Sequence, residues 1–183
     1  MDYGDKINME LNSFPVQNSY WVIPGRFRAG EHPGRGFAGG TRLKLHWLVD
    51  LGLNYIVDLT ESGEADINYP TALLSDASPP NVRVTYKRFP IPDWSAPSQE
   101  KVIEILDAID LALAEGRNIY LHCYGGKGRT GTLVGCYLVR HGTPGDRALE
   151  MIQEFRREIP EKDEQSPETD EQRRMVMEWT KGQ

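Results

Sequence analysis

The segment His122-Cys123-Tyr124-Gly125-Gly126-Lys127-Gly128-Arg129-Thr130-Gly131 joins a short β-rich run, Asn118 to His122, to an apolar stretch, Leu133 to Arg140, that reads as a buried helix. A glycine-rich turn between a strand and a helix aims successive backbone N–H groups at one point and adds the positive end of a helix dipole. Phosphate is the expected guest. Cys123 opens the turn and Arg129 closes it, with five residues between them. That spacing lets the loop curl until a thiolate and a guanidinium face the same phosphorus. The N–H groups that attract phosphate also favour a thiolate. Arginine offers planar bidentate bonds that lysine cannot match, and Thr130 sets a hydroxyl beside the loop. A lone cysteine would read as a core residue, but here cysteine, loop, arginine and hydroxyl coincide at one strand-to-helix switch. An ATP-binding loop fails on pattern, because Gly128 and not Ser or Thr follows Lys127.

Working outward, Tyr20 to Ile23 and Arg26 to Ala29 read as strands joined by the turn Pro24-Gly25. Gly34 to Gly40 is a flexible connector, since no apolar strand leads into it as a dinucleotide site would require. Thr41 caps a helix with Leu45, Leu48 and Leu51 on one side and Gly52 as its stop. Tyr55 to Leu59 is a buried strand, Glu61 to Asn81 a loop with room for one short helix, and Val82 to Phe89 a further strand. Ser98 caps the clearest helix, where Val102, Ile105, Leu106, Ile109 and Leu113 recur at helical spacing before Gly116. After the decisive segment, Thr143-Pro144 starts a helix with Leu149, Ile152 and Phe155 inward, and Ser166-Pro167 starts the last, with Val176 and Trp179 inward. This order predicts a single α/β domain, a mostly parallel central sheet flanked by helices. The chemistry belongs at the carboxyl end of the strand Asn118 to His122.

Composition bounds the partners. The 183 residues carry 21 Lys and Arg against 27 Asp and Glu, a net charge of −6, so no basic face for nucleic acid or stable membrane association is expected. No apolar run suits a membrane span, and the polar start, Met1 to Ser13, lacks a signal peptide's pattern. A cytoplasmic monomer is the expectation. Cys123 and Cys136 lie in regular segments with neither a secretory context for a disulfide nor zinc-ligand spacing. Cys136 is expected to be buried on the helix after the loop.

The decisive segment resembles the H-C-x5-R-[ST]-G signature of protein tyrosine phosphatases, and within that superfamily the chain resembles the small atypical dual-specificity phosphatases. Trp21-Val22-Ile23-Pro24-Gly25 is similar to their opening strand, and Val57-Asp58-Leu59-Thr60-Glu61 to the strand before their variable loop. Ile91-Pro92-Asp93 is similar to their general-acid loop, and Glu168-Thr169-Asp170-Glu171-Gln172 to a late segment. The resemblance implies a phosphatase-like catalytic domain over residues 19–181 after an extension over 1–18. It implies that Cys123 forms a phosphocysteine, that Tyr124, Gly125, Gly126, Lys127, Gly128 and Arg129 cradle phosphate, and that Thr130 assists breakdown of the intermediate. It also implies that His122 supports Cys123 from behind and that Gln172 orients the hydrolytic water, with an ordinary surface-helix glutamine as the other reading. Asp93 is the general-acid candidate. The prolines before it restrict the backbone and the Ser98 cap follows, whereas an ordinary turn aspartate is the competing reading and Asp66 and Asp76 are less well placed. No metal and no cofactor are required.

A phosphorylated protein or a small phosphorylated molecule is the implied partner. Lys127 adds a cation inside the loop, as lipid-phosphate and inositol-phosphate members of the superfamily often do, yet Tyr124 stands where some of them carry a second lysine. Dual-specificity protein phosphatase activity therefore ranks first and phosphoinositide or inositol polyphosphate hydrolysis second. A non-catalytic phosphate-binding module would ordinarily lack one of Cys123, Arg129 or Asp93.

Overall fold

The computed structural model describes residues 16–36, 41–64 and 83–183. Asp66, Asp76, most of the loop expected over Glu61 to Asn81, and Gly39 and Gly40 of the connector lie outside the described residues, as do the first fifteen residues of the extension. The described chain runs β1 (Ser19–Ile23), β2 (Phe27–Gly30), α1 (Thr41–Asp50), β3 (Tyr55–Asp58), β4 (Thr85–Arg88), α2 (Gln99–Ala114), β5 (Ile119–His122), α3 (Gly128–Arg140), α4 (Gly145–Arg156) and α5 (Asp170–Glu178).

These strands form one sheet in the order β1-β2-β5-β3-β4. Only β1 and β2 pair antiparallel; β2, β5, β3 and β4 run parallel. This is the mostly parallel α/β sheet expected from the sequence. β5 lies at its centre, between β2 and β3, so the loop that leaves its carboxyl end emerges mid-sheet.

Alternation along the strands supplies the two faces. Tyr55 and Val57 of β3 and Ile119 and Leu121 of β5 join the larger core, under α2, α3, α4 and α5. Ile56 and Tyr120 point the other way, into a smaller core with Leu45, Leu48 and Val49 of α1. Arg28 is buried on β2 between the rings of Trp21 and Trp47, at 5.0 and 5.2 Å, and bonds to Ser19 at its Oγ and backbone oxygen. Val16 is fully buried, so packing begins ahead of β1.

Two helix starts differ from the sequence reading. α3 begins at Gly128, five residues before Leu133, and buries nearly its whole circumference. Its glycines read as loop, but they serve close packing. A Cβ on Gly128, Gly131 or Gly135 would come within 2.5, 2.3 and 2.6 Å of Glu168, Ser166 and Val176 respectively. The backbone of α3 thus lies directly under α5 and its leader. α5 begins at Asp170 and not after Ser166-Pro167. Thr169 is the cap, its Oγ1 accepting from the Gln172 N–H while the Gln172 side chain returns to the Thr169 N–H, the reciprocal arrangement of a capping box. Ser166 is occupied elsewhere, donating from Oγ to the Lys127 carbonyl at 2.9 Å.

Candidate active site

The loop after β5 forms a cradle because its carbonyls are held outward. The Tyr124 oxygen accepts from the His32 N–H at 2.9 Å, the Gly126 oxygen from Arg156 at 3.2 Å, and the Lys127 oxygen from the Gly131 N–H and Ser166. Peptide units pinned by their oxygens turn their N–H groups inward. Gly126 makes the bend at φ 72°, with its Cα so close to the backbone of Gly30 and Glu31 that a Cβ would overlap it at 2.4 Å. Its N–H points at the Cys123 sulfur, 3.3 Å away, and the Thr130 hydroxyl accepts the Cys123 N–H at 2.8 Å.

Cys123 and Arg129 are each 2% exposed and line one pocket of about 160 Å³. Asp93, Trp94 and Tyr124 line it as well, the two aromatic residues being exposed. Arg129 is held by several partners. Nη1 donates to Glu64 at 2.7 Å and to the Ile91 carbonyl at 3.0 Å; Nη2 bonds to Glu64 and stands 2.9 Å from Asp93 Oδ1. Burial alone would lower the Arg129 pKa, but Glu64, Cys123 and Asp93 outweigh it and raise it. Asp93 Oδ1 also accepts the Trp94 N–H at 3.0 Å.

Behind the cradle, His122 is fully buried, its Nδ1 3.1 Å from the Cys123 carbonyl and 3.8 Å from Asp58. Burial pushes its pKa down, and His32, packed edge-on at 5.0 Å, is driven by burial and by His122 to about 3. Burial pushes Asp58 up, yet His122 and the hydrogen bonds from Thr60 and Tyr86 outweigh it and hold it at about 2. Arg88 adds an ion pair at 3.1 Å. A buried carboxylate paired this densely fixes the carboxyl end of β3, which lies in register beside the β5 end from which Cys123 departs.

The structure thus brings Cys123, Arg129, Asp93, Thr130 and His122 together, with Tyr124 to Gly128 as the cradle. Gln172 is fully buried and not a surface glutamine, and its side-chain oxygen and nitrogen are both bonded to backbone. Lys127 lines the pocket, but its ammonium pairs with Glu164 at 2.5 Å and with Glu161 and Glu168 at 3.7 Å. Cys136 is buried in the core, where burial pushes its thiol pKa up. Three contributors escaped the sequence reading. Glu64 sits in a loop with no periodic signal. Asp58 is the charged end of an apolar strand. Arg156 continues the buried stripe Ala148 and Ile152 at helical spacing, a signal that was available.

Comparison with known proteins places this geometry. A family described as "Polymorphic toxin system, DSP-PTPase phosphatase" (Tc-R-P) matches residues 36–143. Protein 067L of Invertebrate iridescent virus 3, named for a tyrosine phosphatase, is 35% identical over 91 residues, covering 48% of this chain and 34% of its own. Cyclin-dependent kinase inhibitor 3 of Sus scrofa is 33% identical over 150 residues, covering 75% of this chain and 68% of its own. The chain spans from 10% to 68% of the lengths of six curated relatives that it matches. Among solved structures, Tk-PTP in its active form superposes with a TM-score of 0.70 at 26% identity, over 88% of this chain and 95% of that one. A family match over residues 36–143, more than half of the chain and including β3, β4, β5, the cradle and α3, shows that this protein belongs to the dual-specificity protein tyrosine phosphatase (DSP-PTPase) family.

Proposed function

We propose that the protein hydrolyses phosphate monoesters through a phosphocysteine at Cys123, without a metal, and that phosphorylated side chains of proteins are its substrates. The observation that carries this is the convergence of three groups on one pocket. The Cys123 sulfur lies on its floor, the Arg129 guanidinium lies beside it, and the Asp93 carboxylate touches that guanidinium at 2.9 Å. In the first step the thiolate attacks phosphorus, the P–O bond to the leaving group breaks, a P–S bond forms, and Asp93 gives its proton to the departing oxygen. In the second, water attacks the phosphocysteine, Asp93 takes back a proton, and sulfur leaves as thiolate with inorganic phosphate as product. The inward N–H groups and Arg129 carry the charge on the transferring phosphoryl group. Thr130, His122 and Asp58 hold the sulfur's end of the loop. Turnover of an aryl phosphate in chelator, inhibited by vanadate, tests this reading.

The rim favours a single phosphate over a polyphosphate. Burial would lower the Lys127 pKa, but Glu164, Glu168 and Glu161 outweigh it, and the same carboxylates cancel its field toward the pocket. Arg35, also on the rim, is likewise paired, with Glu161 at 2.8 Å and Glu31 at 3.1 Å. Exposed Trp94 and Tyr124 offer apolar area to the ring of a phosphotyrosine. Lys127→Ala is therefore expected to lower kcat/KM by less than about fivefold, the scale of an ion pair already neutralised at a solvent-open rim, and alike for phosphotyrosine peptides and inositol phosphates. A loss confined to inositol phosphates in a parallel assay would reverse this ranking.

A further inference from the structure

The side chain of Gln172 joins two parts of the site that share no backbone. Its Oε1 accepts from the Glu168 and Thr169 N–H groups, both at 3.1 Å, and its Nε2 donates to the Ser95 carbonyl at 2.9 Å. Ser95 closes the turn that carries Asp93. Its N–H and Oγ both return to the Pro92 carbonyl, at 3.3 and 2.7 Å, and Trp94 between them sits at φ 59°. A non-glycine residue in that conformation is held there by its surroundings. The same amide group rests on the helix that carries Arg129, since a Cβ on Gly128 would come within 3.0 Å of Nε2 and 3.1 Å of Oε1. Ser166, on the same leader, ties to the Lys127 carbonyl at 2.9 Å.

We propose that Gln172 is a positioning residue: through its bond to the Ser95 carbonyl it holds the Asp93 turn at the distance from Cys123 and Arg129 at which the carboxyl reaches the leaving oxygen. This rests on the phosphatase reading above and replaces the assignment of Gln172 to hydrolytic water. Both polar ends of the amide are committed to backbone, and the side chain is fully buried.

Gln172→Glu separates the clasp from the cap. Glutamate completes a capping box as glutamine does, so the bonds from Glu168 and Thr169 persist, but it has no N–H for the Ser95 carbonyl. Proton donation matters for a poor leaving group and little for a good one. On one preparation, the ratio of kcat/KM for phenyl phosphate to that for a fluorinated aryl phosphate does not depend on how much protein is folded. Gln172→Glu is expected to lower that ratio by about tenfold, on the scale set by displaced catalytic groups, and Gln172→Met, which keeps bulk without either polar end, should lower it likewise. In an Asp93→Asn background the ratio should not fall further, because the two act as one unit. Equal losses on both substrates would overturn the proposal. So would slower discharge of the phosphocysteine in the Gln172→Glu, Asp93→Asn double variant than in Asp93→Asn alone, the mark of a role in hydrolysis that does not pass through Asp93. Should the wild type turn over neither substrate, the phosphatase reading fails and the clasp is judged separately. Acrylamide quenching of Trp94, isolated by difference from Trp94→Phe, should then rise in Gln172→Glu, and unchanged quenching would refute the clasp.

Discussion

Cys123→Ser is expected to abolish turnover, by about 10⁴–10⁶-fold on the scale of losses when a covalent nucleophile is removed, while leaving fold and phosphate binding intact. Serine fills nearly the same volume at a position only 2% exposed. The bond from the residue 123 N–H to the Thr130 hydroxyl uses only the backbone of residue 123 and survives. The cradle that holds phosphate consists of inward N–H groups and Arg129; of these the Gly126 N–H points at the Cys123 sulfur, and a serine oxygen can accept from it in turn. What disappears is the sulfur nucleophile, for which a serine hydroxyl is a poor substitute. Steady-state assays in chelator measure the loss, and stabilisation by phosphate in thermal unfolding measures the retained site. Metal-free activity within about a hundredfold of wild type would place the nucleophile elsewhere.

Asp93→Asn should cost about 10²–10⁴ in rate for a poor leaving group, the ordinary reach of general acid catalysis, and much less for a good one. Asparagine can still accept the Trp94 N–H, so the turn keeps its shape, but it has no proton to give. A general acid works only while protonated, so the variant should lose the alkaline limb of the pH–rate profile. The resting geometry adds a second effect. Both Nη atoms of Arg129 are engaged, and Asp93 occupies Nη2 at 2.9 Å. An incoming phosphate must displace this carboxylate, and removing its charge should tighten vanadate binding by about tenfold, or about 1.4 kcal/mol. An unchanged pH–rate profile would move the acid role to another carboxylate, with Asp66 and Asp76 the next to substitute.

Much of this site was legible in the sequence because its logic is local. The strand, cradle and helix around Cys123 follow one another without interruption, and α2 declares itself by the Ser98 cap, the helical repeat and Gly116. The start of α3 was missed because glycine marks both flexible loops and crowded helices. What decides between them is Ser166 and Glu168, far along the chain, pressing on Gly131 and Gly128. The pairing of Lys127 was hidden for the same reason. Its three carboxylate partners belong to the segment before α5, and no spacing rule connects them to the loop. Glu64, the principal partner of Arg129, lies in a stretch whose composition says only that it is a turn. Thr169 and Gln172, by contrast, spell a capping box in the sequence itself, yet the second half of the glutamine's work depends on where Ser95 comes to rest.

The proposed chemistry passes through a covalent phosphoryl group on one sulfur. Wild-type protein mixed with an excess of a fluorinated aryl phosphate, quenched in acid within milliseconds and digested, should yield the peptide containing Cys123 carrying one phosphoryl group. That species should rise with the burst of released phenol, discharge on dilution into phosphate-free buffer, and be absent from Cys123→Ser. Rapid release of phenol with no phosphate on any cysteine, or with the phosphoryl group on another residue, would contradict the account.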